Sequence, residues 1–250
     1  MNNNKNKFGL IGYPLGHSFS LKFFTEKFAT ENINAEYLNF EIPKIADLSN
    51  IIEANPDLIG LNVTIPYKED VLPFLNNIDK DAAKIGAVNV IKIIRDSHGI
   101  KLNGYNSDMV GFMNSITPIL KPHHKKALIL GTGGASKAVE FGLHKLGIET
   151  QLVSRKSSSY AISYQDVTPN ILEEYSVIVN TTPLGMYPNV DNAPNIPYKL
   201  INSNHLCYDL IYNPDKTLFL KNAEEQGAII KNGLEMLTIQ ALEAWKIWNN

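Results

Sequence analysis

The segment KKALILGTGGASKAVEFGLHKLG, residues 125–147, constrains the architecture of this chain more than any other. An apolar run at 127–130 meets Gly131-Thr132-Gly133-Gly134-Ala135-Ser136, and a helical pattern then runs to Gly147. A strand that enters a helix through such glycines leaves the first helical N–H groups and their partial positive charge facing outward, which makes a seat for phosphate. Gly131 suits the tight turn, Gly133 lets backbone approach a pyrophosphate, and Ser136 is small where the usual fingerprint has Gly or Ala. The same alternation recurs along the chain. Short apolar runs at 8–11, 37–40, 58–65, 88–94, 127–130, 150–153, 177–180 and 206–210 are separated by helical patterns, which predicts an α/β fold with parallel strands and crossover helices.

The strand after the glycine unit, ETQLVS, ends at Ser154-Arg155-Lys156. An NAD-binding unit would carry an acid there for the ribose 2′-hydroxyl. Cations suit a 2′-phosphate instead, and the planar Arg155 guanidinium can also lie on an adenine face, so the expected cofactor is NADP. Taken alone, the two cations would equally well begin a solvated loop. After Lys156 the stretch SSSYAISYQDVTPNILEEYS leaves little room for the usual first crossover helix.

Bulk properties exclude several classes. With 44% hydrophobic residues among 250, the chain can build one large or two modest cores. A formal charge of -2 creates no field favouring nucleic acid or an anionic membrane, so the expected partner is a small molecule. No stretch approaches the roughly 20 apolar residues of a membrane span, and the start MNNNKNKFGLIG lacks a signal-type apolar region. Cys207 is the sole cysteine, which excludes an internal disulfide and favours a reducing cytoplasm. Among six histidines, His123 and His124 are adjacent, His17 lies in a loop motif, and none has helical ligand spacing, so no metal is expected.

Other motifs are individually ordinary. GLNVTIPYKED reads as a strand at 61–65 that meets Pro66 and then delivers Lys68; Asn62 and Thr64 share one face by their spacing of two. In GYPLGHSFS, Ser20 stands where a serine most often caps a helix, which leaves Ser18 without a structural job. Asp108 in GYNSDMVGF sits at a helix start, Asn89 in GAVNVI at a strand start, and NTTPLGM follows another strand. The final LEMLTIQALEAWKIWNN carries Leu234, Leu237, Ala241, Trp245 and Trp248 at spacings of three and four, an apolar helical face that should pack back onto the body.

In combination and order, GYPLGHSFS, NVTIPYKED, GAVNVI, NSDMVGF, GTGGAS, NTTPLGM, YDLIYNP and NGLEMLTIQA resemble the shikimate dehydrogenase family, over residues 12–241. The resemblance implies a two-domain NADP enzyme reducing 3-dehydroshikimate to shikimate on the way to chorismate and the aromatic amino acids, with its active site in the cleft between domains. It implies Lys68 and Asp108 as the catalytic pair, and Ser18, Ser20 and Tyr212 on the substrate carboxylate. Asn62, Thr64, Asn89, Asp108 and Gln240 would hold the ring hydroxyls and the reacting carbonyl region. Gly131, Gly133, Gly134, Ala135 and Ser136 would receive the pyrophosphate, Arg155 the 2′-phosphate, and the backbone near Thr181 and Met236 the ribose or nicotinamide end.

Hydride reduction of a ketone leaves charge on an oxygen that must be stabilised and protonated, and one lysine answers both needs. A lysine titrates near ~10.4 in water; a neighbouring carboxylate raises that and desolvation lowers it. The chain departs from the family at Leu21, where proline is frequent, at Ser107, where threonine is common, and at Glu235, where glycine usually precedes Met236. Glu235 brings bulk and negative charge next to the expected nicotinamide contact.

The expected division is a substrate domain at 1–104 plus 234–250 and a Rossmann-like NADP domain at 105–233, in a cytoplasmic monomer or homodimer. Two other readings remain: a quinate/shikimate dehydrogenase using NAD, disfavoured by Arg155 and the missing acid, and a non-catalytic nucleotide-sensing protein, which has no need of Lys68 with Asp108.

Overall fold

A computed structural model describes residues 5–16 and 18–250; His17, assigned above to a loop motif, lies outside the described residues. The chain divides into two compact units, Met1–Ser107 with Ala241–Asn250, and Asp108–Gln240.

The first unit contains strands β1 (Asn6–Gly12), β2 (Ala35–Glu41), β3 (Leu58–Val63), β4 (Asn77–Ile78), β5 (Val90–Asp96) and β6 (Gly99–Tyr105), with helices α1 (Phe19–Thr30), α2 (Leu48–Ala54) and α3 (Lys80–Ile85). They form one sheet in the order β2-β1-β3-β5-β6-β4. β1 runs parallel to β2 and β3, as expected. The expectation of parallel strands fails at β5, which is antiparallel to both β3 and β6, while β6 and β4 are again parallel. Between β5 and β6 the cause is a hairpin: Asp96 pairs with Gly99 across Ser97-His98, Gly99 has φ +114°, and the Asp96 carboxylate accepts the His98 N–H at 2.7 Å. The short polar DSHG stretch was the available signal for β6.

The second unit takes α4 (Ser107–Ile116) from Asp108 onward and continues through β7 (Lys126–Leu130), α5 (Gly134–Lys145), β8 (Glu149–Ser154), β9 (Ala161–Ser163), α6 (Pro169–Glu174), β10 (Val177–Asn180), β11 (Leu206–Asp209), α7 (Leu218–Glu224), β12 (Ile229–Lys231) and α8 (Leu234–Asn249) as far as Gln240, the rest of α8 belonging to the first unit. Its sheet is parallel in every pairing, in the order β12-β11-β10-β7-β8-β9. Numbered within this sheet the order is the doubly wound Rossmann arrangement, whose ligand crevice opens where the order reverses, at the carboxyl ends of β7 and β10. The four apolar residues of β7, Ala127 to Leu130, are fully buried, as central parallel strands covered on both faces must be. No helix separates β8 from β9, the consequence of the short connection after Lys156.

The C-terminal helix shows how sequence becomes packing. Ala241, Ala244 and Trp248 of α8 are buried with Phe8, Phe24 and Tyr37 in one cluster of the first unit. Leu234, expected on the buried face, is 44% exposed, and Met236 is buried in its place. Trp248 stacks near Phe8 at 4.8 Å and donates its indole N–H to the Ile91 carbonyl at 3.1 Å. Burying such a ring contributes about 2–3 kcal/mol. The indole fits because β3 carries Gly60 beneath it; a Cβ there would stand 2.3 Å from the ring. Gly111 has the same function between α4 and α8, where a Cβ would meet the Met236 carbonyl at 2.6 Å.

Candidate active site

In the first unit the predicted substrate residues gather at the carboxyl ends of β1 and β3. The loops leaving these paired strands are tied together: Thr64 donates its N–H to the Ile11 carbonyl at 2.9 Å, and Tyr13 donates to the Ile65 carbonyl at 3.1 Å. β3 ends at Val63, two residues before the expected end, so Thr64 lies in the turn and only Asn62 is on the strand. Ile65-Pro66 is cis, as is Tyr13-Pro14 in the facing loop. Beyond Pro66, the Lys68 carbonyl accepts the Val88 N–H at 2.8 Å, which holds the lysine's segment against the entry to β5. The Lys68 side chain is half-buried.

The serine roles expected in the loop are reversed. Ser18 caps α1, accepting the Leu21 N–H at 3.2 Å, while Ser20 lies within the first helical turn. The departure at Leu21 now has a physical content, since a proline there has no N–H to give the cap.

Asn62 and Asn89 are both buried. Asn62 accepts the Tyr37 hydroxyl at 2.7 Å and donates to the Asn89 carbonyl at 3.3 Å. Asn89 turns its side chain to Ser107, accepting the Ser107 N–H at 2.7 Å and donating to its hydroxyl at 3.0 Å. Asn106 donates to the Ala87 carbonyl at 2.9 Å. These bonds hold Asn106 and Ser107, the last residues of this stretch of the first unit; Asp108, buried in the first turn of α4, is the next residue in the chain. A carboxylate there is favoured by the helix dipole. Ser107 supplies the hydroxyl a threonine would, which explains why that departure is tolerated.

In the second unit, Gly131 has φ +113°, and a Cβ on it would meet the Thr181 hydroxyl at 2.7 Å. Thr181 in turn donates both its N–H and its hydroxyl to the Leu130 carbonyl, at 2.9 and 2.8 Å, so the loops after β7 and β10 meet at the reversal of strand order. Gly133 is the N-cap residue of α5, followed by Gly134 and Ala135 in the first turn. A Cβ on Gly133 would have no neighbour within 4 Å, which leaves open the approach a pyrophosphate needs. Ser136 is buried and donates to the Gly133 carbonyl at 2.6 Å. Arg155 lies exposed just past β8; burial pushes the Tyr164 phenol up, and the nearby Arg155 charge offsets part of that. An open glycine turn at a helix N-terminus with a cation at the next strand end fits a dinucleotide carrying a 2′-phosphate.

Tyr212 and Gln240 belong to the second unit, Tyr212 half-buried after β11 and Gln240 buried on α8 with its amide donating to the Leu237 carbonyl at 3.1 Å. Met236 is buried one residue past Glu235. The charge of Glu235 is taken up by an ion pair with Lys231, the last residue of β12, and its side chain is exposed.

Sequence reading passed over Asp209, the last residue of β11. It is fully buried and accepts from Thr217 at 2.6 Å, Ile211 N–H at 3.0 Å and Asn180 at 3.1 Å, joining the loops after β10 and β11. An acid closing the apolar run LCYD was the signal. Burial pushes its carboxyl from 3.8 up to about 6, with the three hydrogen bonds acting the other way. Between these values the folded chain holds a proton that the unfolded chain releases, so stability falls as pH rises through that window and the cost is complete above it. Asp209→Asn preserves the bonds, with the amide donating to a rotated Thr217 hydroxyl. Relative to the parent, the variant should gain about 1–3 kcal/mol between pH 4 and 7 in denaturant unfolding. Parallel pH profiles would refute the assignment.

Among the described residues no helix is long and apolar enough to cross a membrane, and no group of three His, Cys, Asp or Glu is placed to hold a metal.

Comparison with known proteins bears on both units. The family model described as the shikimate dehydrogenase substrate binding domain matches residues 10–91. A shikimate dehydrogenase (NADP(+)) of Caldicellulosiruptor saccharolyticus is 37% identical over 97% of this chain and 91% of its own. Among solved structures, a chorismate mutase/shikimate 5-dehydrogenase fusion protein from Clostridium acetobutylicum superposes with TM-score 0.87 at 36% identity, covering 98% of this chain and 92% of that one. The shikimate 5-dehydrogenase of Thermus thermophilus, solved in complex with NADP(H) and shikimate, gives 0.84 at 28% identity, covering 97% and 92%.

Proposed function

The chain belongs to the shikimate dehydrogenase family, and on that footing we propose that it catalyses the reversible NADPH-dependent reduction of 3-dehydroshikimate to shikimate, in chorismate and aromatic amino acid biosynthesis. The observation that carries the reading is that the parallel strands β1 and β3 send out bonded segments from their carboxyl ends, one leading through Ser18 to Ser20 in the first turn of α1, the other from Asn62 on β3 through Thr64 to Lys68. Open sheets bind ligands at such ends. The glycine turn after β7 supplies the complementary requirement, a seat for the dinucleotide.

When bound, the reduced nicotinamide supplies the hydride. The chain's residues do the rest. Ser18 and Ser20 hydroxyls donate to the substrate carboxylate with Tyr212, and Asn62, Thr64, Asn89 and Gln240 hold the ring hydroxyls. Lys68 stabilises the charge that develops on the carbonyl oxygen and gives it a proton, with Asp108 orienting the ammonium and sharing a hydroxyl. Gly131, Gly133, Gly134, Ala135 and Ser136 cradle the pyrophosphate, Arg155 meets the 2′-phosphate, and the backbone at Thr181 and Met236 borders the ribose and nicotinamide. In this reading residues 1–104 and 234–250 serve the substrate and 105–233 the cofactor, in a cytoplasmic monomer or homodimer.

Purified protein should consume NADPH, followed by its absorbance, when 3-dehydroshikimate is added, and should form NADPH from shikimate and NADP. No oxidation at any substrate concentration would overturn the assignment.

A further inference from the structure

Tyr37 is a buried phenol that the scheme above does not use. It stands in the middle of β2, 4% exposed, with its ring stacked on Phe24 at 4.8 Å and 12°. Its hydroxyl donates to Asn62 Oδ1 at 2.7 Å, while the Asn62 Nδ2 donates to the Asn89 carbonyl at 3.3 Å. The amide is therefore held at both ends. Reversing it would set two acceptor oxygens, Asn62 Oδ1 and the Asn89 carbonyl, against each other, so one orientation alone satisfies the site. Burial pushes the Tyr37 phenol well above its usual range. The hydroxyl consequently stays protonated and is a donor at every working pH. The phenol oxygen thus ties β2 to the end of β3 across the intervening β1.

We propose that Tyr37 is a positioning residue for the reduction, one that presets the Asn62 amide so that a ring hydroxyl of the substrate meets a group already oriented. The inference rests on the function proposed above. Two of the four hydrogen-bonding positions of the Asn62 amide are committed to the protein. Without the phenol, Asn62 Oδ1 loses its buried donor, the amide can rotate, and binding has to order it again.

The test is Tyr37→Phe, which keeps the ring and its stacking. KM and the calorimetric Kd for shikimate should both rise about tenfold, the worth of one hydrogen bond. kcat should stay within about threefold and KM for NADP should not move. Asn62→Ala and the double variant complete a cycle. If Tyr37 acts through Asn62, its effect on KM largely disappears in the Asn62→Ala background. A shikimate KM within twofold of the parent, or the same tenfold loss with and without Asn62, would overturn the inference, as would a general loss of fold shown by equal effects on shikimate and NADP. An inactive parent protein would take down the function as well, whereas an active parent with an unaffected Tyr37→Phe overturns this inference alone.

Discussion

Lys68→Ala will lower kcat by about 10²–10⁴ while changing KM for shikimate only a few fold, measured by steady-state NADPH formation. The reasoning starts from the chemistry. A ketone that accepts hydride becomes an alkoxide, and every interaction that exists only with the alkoxide acts on kcat and not on ground-state binding. The backbone bond from Val88 to the Lys68 carbonyl builds the lysine's segment into the fold, so it is not a loose surface turn. Lys68→Arg separates the two services of the ammonium. Arginine preserves the positive charge but cannot give up a proton near neutral pH. Because the alkoxide must be protonated, Lys68→Arg is expected to fall nearly as far as alanine. Full activity in the arginine variant would reduce the lysine to an electrostatic clamp, and a large KM change with kcat intact would make it a binding residue.

How much of this was legible beforehand depends on how local the signal is. The glycine turn and its helix could be read from 23 consecutive residues, because a strand, a φ-positive turn and an open helix N-terminus are all local features. The hairpin of β5 and β6 was equally local, but DSHG is a weak punctuation mark and the apolar run at 88–94 invited a parallel strand. β9 and β12 are three residues each, too short for any period to emerge. The interior struts of the site are a different matter. Nothing in AEYLNF marks Tyr37 as the partner of Asn62, 25 positions away, since the pairing exists only once β1 has been inserted between β2 and β3. The same holds for Asn89 with Ser107 and for Asp209 with Thr217 and Asn180. Sequence marks the groups proposed to touch ligand by their motifs; the groups that hold them are ordinary residues until tertiary pairing gives them a partner.

Arg155→Ala will cost NADP about 10- to 100-fold in KM and leave NAD nearly untouched, measured as the ratio of kcat/KM for the two cofactors. Hydrogen bonds to charged groups are worth about 1.5–3 kcal/mol, and the 2′-phosphate is the one feature by which the two dinucleotides differ. Position decides that Arg155 should supply them. It follows β8, the strand next to β7, and in a doubly wound sheet that strand end faces the adenosine ribose. Where an acid would select a free 2′-hydroxyl by accepting its proton, a guanidinium offers paired donors to phosphate oxygens. Lys156 is exposed beside it and adds charge without planar geometry, so Lys156→Ala should have the smaller effect. Raising the salt concentration should weaken NADP binding to the parent more than to Arg155→Ala, because screening acts on the contact the variant has already lost. Equal losses for NAD and NADP in Arg155→Ala would assign the arginine to the adenine ring or to the loop itself and remove it from 2′-phosphate recognition.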